Sequence, residues 1–541
     1  MKILVVVDNA ISLTPAVDAF GIGRVVQLIR NTSVGTMNFN VTLAVRQYPQ
    51  TTNPSPAPDE PKYTGFRFDQ KEPDGKNTID LFHEIWCFGF EPGNKAGPDS
   101  DISLPEHLPI SDSELNILTQ WMNNRQGGIF ATGDHDYLGA SMCSRIPRVG
   151  TMRLWTNADG VPSRTGADRI DTNRPSTPGQ ADIAGTPDVM PFANQSDVVP
   201  QAIEWVSWAK SIYIPNIVVR RRPHPILCHP KLGPIDLMPD HPHEGRCFDT
   251  KINPATGQPE IKLNGTYNFN GNSGDEYPTV GTIRPTPTVI AYGTTLPDPP
   301  YNHEKGDSPY KHFPMISAYD GHRINIGRVV VDSTWHHWLD LNLTQIENAV
   351  DKTNWEKISR YFINVAMWLT PKRISRRAFS LYLFQSHFGY LGFREFSPAS
   401  SVFTLGSPLK YDLSLIFSPC WVTDMVMDHI CLIRKDLCYR LNDHYFEPIP
   451  RPDPCLSCPP LDLVEDAVLG GMVLKTIEVI KPISEQRDRK PNPDQFEFEE
   501  FEKQIVEGAS HGLKELVSTL DRSLKYTRDL FEETHGNQST Q

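Results

Sequence analysis

The sequence predicts an α/β protein: an open parallel sheet with a long insertion, followed by a mostly helical C-terminal region. Three observations support this prediction. Continuous apolar, β-branched runs such as residues 3–7 are typical of buried parallel strands. Helical patterns such as residues 15–29 follow these runs, as the crossover helices of parallel sheets do. From about residue 372 the patterns become mainly helical.

The first part of the sheet follows from short apolar runs separated by helical or polar segments. A helix is predicted to begin at Ser111, because Glu114 stands three residues later in a capping box, and to run to about residue 124. Gly127 and Gly128 end this helix. We read the polar, Pro-rich segment 50–77 as a surface loop. The predicted strands of this part are residues 3–7, 40–45, 84–90 and 129–133.

Residues 148–285 interrupt this order with Pro, Gly, Asn and Asp, and we expect them to form an insertion over the active face of the sheet. Within it we predict only a helix near residues 197–210 and a strand at 214–219. After it the sheet resumes, with strands at residues 287–292, 313–318 and 326–332, and an amphipathic helix at 354–369 closes the domain.

We therefore place one α/β domain at residues 1–371 and a C-terminal region at residues 372–541. Helices are predicted there at 461–480 and 496–533, and residues 382–388 and 413–417 fit either strands or short helices. Gly470 and Gly471 interrupt the first of these helices, which costs about 1 kcal/mol each unless close packing compensates. The apolar stripe of residues 496–533 suggests helix packing or a homo-oligomer seam.

Composition limits the partners. A formal net charge of -13 over 541 residues argues against a general nucleic-acid surface, which requires a basic face. No uncharged stretch is long enough to cross a bilayer, and the first residues lack the features of a signal peptide, so we expect a cytoplasmic protein. Nine cysteines without a disulfide-type spacing fit the same compartment. The single CxxC, Cys455 to Cys458, is read as a loop rather than a zinc site.

Histidines carry the strongest functional signal. Ten of the seventeen lie between His135 and His337, several beside aspartates. Imidazole next to carboxylate is typical of hydrolytic and metal sites. In an open parallel sheet ligands bind beyond the carboxyl ends of the strands, and two such groups follow predicted strands. The candidate catalytic residues are Asp134, His135, Asp136, His336 and His337.

A divalent metal, zinc or manganese, is the expected cofactor. In the segment 240–244 two imidazoles and two carboxylates lie within five residues, inside the insertion expected to cover the crevice. An exposed loop whose charges never converge is the alternative. The candidate metal ligands are His135, Asp240, His241, His243 and Glu244.

Further basic residues are assigned to substrate binding. We expect His322 and Arg323 on the hairpin next to the late strand, and Arg148 at the start of the insertion. Arg220, Arg221 and Arg222 can hold an anion, although a solvated face or a local salt bridge explains them better. Cys143 has no base beside it in the sequence and is read as a small buried residue.

The order of these elements resembles the ThuA-like domains of the class I glutamine amidotransferase-like superfamily. The resemblance covers residues 1–371 without the insertion and rests on the helix, Gly-Gly and strand of residues 115–132, the late strand running from Gly327 to His337, and the following helix. It implies a flavodoxin-like fold and, for the substrate, a carbohydrate-like compound.

This chain departs from the amidotransferase pattern at the nucleophile turn. Asp134 and His135 stand where those enzymes have a cysteine, and no glutamate follows His336 and His337 in a His-x-Glu pair, so glutaminase activity is not expected. We expect a hydrolase acting on a small polar substrate with the help of a metal. The alternative is a non-catalytic ligand-binding or assembly protein that uses the same crevice.

Overall fold

The computed structural model divides into two compact units. The first comprises Met1–Ser33, Met37–Val206 and Leu232–Ile374, and the second comprises Val34–Thr36, Ser207–Lys231 and Ser375–Gln541. The structure describes residues 1–8, 11–15, 21–46, 49–89, 110–133, 139–155, 200–213, 218–239, 245–294, 312–389, 400–446, 459–485 and 498–536.

The first unit is built on a ten-stranded sheet. In chain order its strands are β1 (Lys2–Val7), β2 (Asn40–Val45), β3 (Thr51–Thr52), β4 (Tyr63–Thr64), β5 (Glu84–Gly89), β6 (Gly128–Gly133), β7 (Glu204–Trp205), β8 (Thr288–Thr294), β9 (His312–Tyr319) and β10 (Val329–Asp332). They lie side by side in the order β7-β8-β9-β10-β6-β5-β1-β2-β4-β3.

The middle of this sheet is parallel. β2, β1, β5, β6 and β10 all run in one direction, each paired with its neighbour. Counted along the chain, these five strands lie in the order 2-1-3-4-5, which is the flavodoxin-like order. The predicted fold class is confirmed. On the β10 side the sheet continues with antiparallel strands β9, β8 and β7.

Helices accompany the parallel strands. They are α1 (Gly23–Asn31), α2 (Asp112–Asn124), the short α3 (Ala140–Cys143), α4 (Asp340–Asn348) and α5 (Thr353–Leu369). The predicted capping box of α2 forms, because the Ser111 hydroxyl accepts from the Glu114 N–H while the Glu114 carboxylate accepts from the Ser111 N–H. Glu114 is fully buried and also forms an ion pair with buried Arg46 at 2.7 Å.

One predicted helix of the insertion is wrong. In place of a helix near residues 197–210, the described chain forms β7 and the short strand Gln201–Ala202, and then the longer strand Ser207–Tyr213. That last strand pairs with Val218–Pro223 in an antiparallel hairpin of the second unit. The apolar residues of this segment fit a helix and a strand equally well, and the hydrogen bonds to partner strands decide for the strand.

The second unit is mainly helical. Its helices are α6 (Lys372–Gly389), α7 (Val402–Ile416), α8 (Pro419–Ile433), α9 (Lys435–Tyr445), α10 (Leu461–Glu485) and α11 (Phe498–Gly536). The first residues of α6, before Ser375, belong to the first unit. Residues 382–388 and 413–416 are therefore helical. A disulfide joins Cys431 to Cys438. Of the helices in the described ranges, none combines the length and the apolar character that crossing a bilayer demands.

Glycines let three helices of this unit approach closely. A Cβ atom added to Gly471 would overlap the backbone of Gly508 and Gly512 on α11, and one added to Gly470 would overlap Val402 on α7. The expected cost of two glycines inside α10 is therefore offset by backbone contact that no larger residue permits.

Candidate functional site

The candidate site lies at the carboxyl ends of the neighbouring parallel strands β6 and β10. Their register places Thr132 opposite Asp332. Just beyond, the guanidinium of Arg153 donates to the carbonyl oxygens of Gly133 at 2.7 Å and Ser333 at 2.9 Å. One side chain therefore holds both strand ends together. The predicted residues Asp134, His135 and Asp136 follow Gly133 directly but lie outside the described residues.

Asp332 is the centre of a buried hydrogen-bond network. Both of its carboxylate oxygens accept from Nδ1 of His337 at 2.9 Å. The phenol of Tyr361 donates to Oδ2 at 2.8 Å, and the indole N–H of Trp338 donates to the same oxygen at 3.2 Å. A backbone N–H, that of Thr334, reaches Oδ1 at 3.3 Å. These donors keep a carboxylate stable where water does not reach it.

The network fixes the orientation of the His337 ring. A carboxylate only accepts hydrogen bonds, so Nδ1 carries the hydrogen that points to Asp332. In a neutral imidazole Nε2 then has the lone pair that a general base needs. Burial raises the pKa of Tyr361 well above its usual value, and the negative charge of Asp332 adds to the effect. The phenol therefore remains protonated and continues to donate.

Local sequence explains how His337 reaches Asp332. After β10 the chain turns through Ser333 and Thr334 into a short 3-10 helix, His336–Trp338. The ring of Trp338 then packs between the sheet and α5, with centroids 4.3 Å from Phe130 and 4.7 Å from Phe362. This aromatic contact anchors the turn so that His337 faces back toward the strand end.

His336 has different surroundings from those of its neighbour. Its ring lies against Trp335, with centroids 4.7 Å apart, and Nδ1 is 3.4 Å from the amide oxygen of Asn342. The side chain is fully buried, as is that of His337. Of the two predicted catalytic histidines, His337 has the carboxylate partner and His336 has an aromatic and an amide partner.

Two buried hydroxyls lie at the same edge. Within the part of the chain that the structure describes, neither Thr132 Oγ1 nor Ser333 Oγ has a hydrogen-bond partner. Both residues are fully buried, and each stands at the end of a strand of the site, β6 or β10. Unpaired buried hydroxyls cost stability, so they mark places where a polar ligand is favourable.

Gly245, which follows the segment with four of the predicted metal ligands, lies at this edge. Asp240, His241, His243 and Glu244 lie outside the described residues. Gly245, the next residue, packs so closely on the Arg153 guanidinium and the Ser333 carbonyl that a Cβ atom would overlap both. No group of three or more His, Cys, Asp or Glu side chains within the described ranges is arranged to hold a metal ion.

The predicted substrate-binding residues His322 and Arg323 are not at this edge. They belong to the turn Gly321–Ile324, which follows β9. Because β9 runs antiparallel to β10, with Tyr319 opposite Val329, its carboxyl end lies at the amino end of β10. This corrects the expectation that they line the same site as His336 and His337.

Arg148 is also at the opposite edge. Its guanidinium donates to the amide oxygen of Asn123 at 2.8 Å and lies 6.0 Å from the ring of Tyr319. Asn123 is at the end of α2, just before β6 begins, and Tyr319 ends β9. Fully buried Arg148 therefore takes part in a polar cluster of the interior, and the structure does not bring it to His337.

Two thiols of the first unit, those of Cys143 and Cys247, do not have the character of nucleophiles. Cys143 is fully buried, and burial together with a hydrogen bond to the Cys87 thiol raises its pKa well above the usual value. Burial likewise raises the pKa of Cys247, whose sulfur lies 3.4 Å from the Met315 carbonyl oxygen. Both thiols therefore remain protonated near neutral pH.

A groove of about 650 Å³ lies elsewhere on the first unit. Its lining includes Lys2, Arg30, Asn40 and Lys62, at the amino ends of β1 and β2. This is the edge of the sheet opposite the Asp332 network, so the groove and the network are separate features.

Tyr361 and Arg153 are site residues that do not follow from the sequence. Tyr361 belongs to the predicted amphipathic helix 354–369, and Arg153 lies in the predicted insertion 148–285. A tyrosine on the buried face of a helix is a usable signal, because its hydroxyl requires a polar partner there. Arg153 has no such signal, since its partners are backbone carbonyls distant in sequence.

Comparison of the chain with protein-family models, with curated proteins and with solved structures gives no match in any of the three.

Proposed function

We propose that this protein is a hydrolase that acts on a small polar, carbohydrate-like substrate at the carboxyl ends of β6 and β10. His337 serves as the general base and Asp332 positions it. The observation that carries the proposal is the hydrogen bond from His337 Nδ1 to both oxygens of the Asp332 carboxylate. Its place at this edge of a flavodoxin-like sheet supports the assignment, because ligands of such sheets bind there.

In the proposed reaction, Nε2 of His337 takes a proton from water as the water oxygen attacks the substrate. The imidazole becomes an imidazolium, and the carboxylate of Asp332 stabilises its positive charge. Tyr361 and Trp338 hold that carboxylate in place, so little rearrangement accompanies the proton transfer. Return of the proton to the leaving group restores the neutral ring.

The hydroxyls of Thr132 and Ser333 support the choice of an uncharged polar substrate. Each can donate one hydrogen bond and accept others, which suits the hydroxyl groups of a carbohydrate. The resemblance to ThuA-like domains points to the same class of compound. That family assignment remains part of the proposal.

A divalent metal, zinc or manganese, also belongs to the proposal. Its candidate ligands are His135, Asp240, His241, His243 and Glu244, and the residue that follows Glu244, Gly245, lies at the site edge. Such an ion would lower the pKa of a bound water. The metal content of the purified protein tests this part separately.

A non-catalytic ligand-binding protein is the second candidate. The observation that favours it is that Asp332, His337 and Tyr361 are all fully buried. A carboxylate with so many donors also suits a purely structural role. The expected cytoplasmic location, and a homo-oligomer formed through the C-terminal helices, remain proposals for localisation and sedimentation measurements.

A hydrolase substrate panel, run beside thermal-shift measurements with zinc, manganese and simple sugars, separates the two candidates. Turnover that disappears in the Asp332→Asn variant supports the enzyme. Thermal stabilisation by a sugar without turnover on any substrate favours the binding protein. Absence of both turnover and stabilisation contradicts both.

A further inference from the structure

Beyond the proposed function, we propose that Cys228 and Cys420 are a redox-active thiol pair of the second unit, oxidised to a disulfide by low-molecular-weight disulfides. Cys228 begins the short strand Cys228–His229, and Cys420 is the second residue of α8. Their side chains are hydrogen-bonded to each other in the reduced protein. The two sulfur atoms are thus already neighbours.

The surroundings of Cys228 favour its thiolate. Besides the Cys420 thiol, its sulfur accepts from the backbone N–H of Cys420 and from the hydroxyl of Ser418. Ser418 is the N-cap of α8, so these donors belong to the positive end of a helix fifteen residues long. The hydrogen bond from Cys420 is the largest cause of the lowered pKa of Cys228, and it outweighs burial.

Cys420 suits the role of the second, resolving thiol. Burial raises its pKa well above the usual value, and its proton is engaged in the hydrogen bond to Cys228. The nearby guanidinium of Arg222 lowers the thiol pKa at both positions, although Glu465, its ion-pair partner, opposes this at Cys420. Cys228 is therefore suited to attack the oxidant, and Cys420 to resolve the mixed disulfide that results.

The first unit provides a natural reference pair. Cys87 and Cys143 are also hydrogen-bonded to each other, but both are fully buried, whereas Cys228 retains 3% exposure. The charge of Asp8 raises the pKa of Cys143 further. Proximity is common to the two pairs, and the Cys228 pair adds the hydrogen-bond donors of a helix N-terminus.

The chemistry balances with a small disulfide as oxidant. The Cys228 thiolate attacks one sulfur of the oxidant, which breaks its S–S bond, forms a mixed disulfide and releases one small thiolate. Cys420 then loses its proton and attacks Cys228, which releases the second small thiol and forms the Cys228–Cys420 bond. Two protein thiols are oxidised and one small disulfide is reduced to two thiols. The new bond ties the segment 207–231 to α8.

The test treats the reduced full-length protein with oxidised glutathione and maps disulfide-linked peptides over time. We expect the Cys228–Cys420 disulfide to form at least about tenfold faster than a Cys87–Cys143 disulfide. In the Cys420→Ser variant we expect a lasting glutathione adduct on Cys228, because no thiol resolves it. The Cys228→Ser variant should leave Cys420 unmodified, and Cys143→Ser should still form the link.

Circular dichroism confirms that each variant is folded before treatment. Three outcomes would overturn the proposal in folded protein: the Cys87–Cys143 link forms first, Cys228 bonds instead to Cys455 or Cys458, or neither the link nor the adduct on Cys228 appears. The Cys420→Ser adduct keeps the test decisive even if the wild-type link is too short-lived to isolate.

Discussion

Thr132 and Asp332 stand opposite each other across β6 and β10, yet only the side chain of Asp332 has hydrogen-bond partners in the described part of the chain. A buried hydroxyl without a partner weakens the fold, so a polar group kept there suggests a role in ligand binding. The proposed binding site therefore rests on the unpaired hydroxyl as well as on the carboxylate.

The Thr132→Val substitution should therefore stabilise the first unit by up to about 1 kcal/mol, because valine has the same shape without the unpaired group. It should also weaken substrate binding, seen as a higher KM. Urea unfolding and steady-state kinetics measure the two effects. A loss of more than about 1 kcal/mol would show that the hydroxyl has a structural partner.

The Tyr361→Phe substitution removes one donor from the Asp332 carboxylate. We expect a loss of about 1.5–3 kcal/mol in the free energy of unfolding, since the acceptor is charged and buried. Turnover should fall as well, because the carboxylate that positions His337 loses one of its hydrogen-bond donors. An unchanged unfolding curve together with unchanged turnover would contradict the network.

His83 should make the first unit sensitive to acid. Its Nδ1 accepts from the backbone N–H of Lys2 at 3.2 Å, so this nitrogen must be unprotonated in the folded protein. Burial, followed by the positive charges of the N-terminus and Lys2, lowers the pKa of His83 to about 4. An unfolded chain binds the proton near pH 6.5.

The contribution of neutral His83 is complete above about pH 6.5 and is lost as the pH falls toward 4, because the unfolded chain takes up a proton that the folded one resists. We expect a loss on the order of 1–2 kcal/mol across this window. Urea unfolding at several pH values should show that the free energy of unfolding of His83→Gln depends less on pH than that of the wild type. An equal pH dependence in the variant would disprove the assignment.

Gly512→Ala should destabilise the second unit although alanine is the better helix former. The added Cβ would overlap the carbonyl oxygen of Ala467 on α10. Forcing these helices apart costs roughly 1–3 kcal/mol. Hydrogen exchange of α10 and α11 measures the effect, and Ser518→Ala at an exposed position of α11 is the control. Equal protection of the amide hydrogens in both variants would show that Gly512 and Ala467 are not in close contact.

Much of the sheet could be predicted because buried parallel strands are continuous apolar runs. Residues 40–45 and the end of β10 at Asp332 match the predictions, as does Ser111 as the cap of α2. The insertion could not be predicted in the same way, because short strands such as Glu204–Trp205 have too few residues to show a period.

The candidate site could be predicted only in part. The sequence places His337 after a strand, and a strand end is where a parallel sheet binds ligands. The expected hairpin between β9 and β10 already requires antiparallel strands, and this direction puts His322 at the far edge, so its assignment to the same site did not follow from the predicted strands. The sequence does not pair Tyr361 with Asp332, since that contact depends on how α5 packs on the sheet.

The most direct test of the central claim compares the turnover of wild type, His337→Gln and His312→Gln on a substrate found in a hydrolase panel. His312 is a matched control, because its Nε2 also lies near a carboxylate, 3.0 Å from Glu204, but on a partly exposed side chain at the start of β9. The account predicts a loss of about a hundredfold or more in His337→Gln and nearly wild-type turnover in His312→Gln. Equal turnover in wild type and His337→Gln would contradict it.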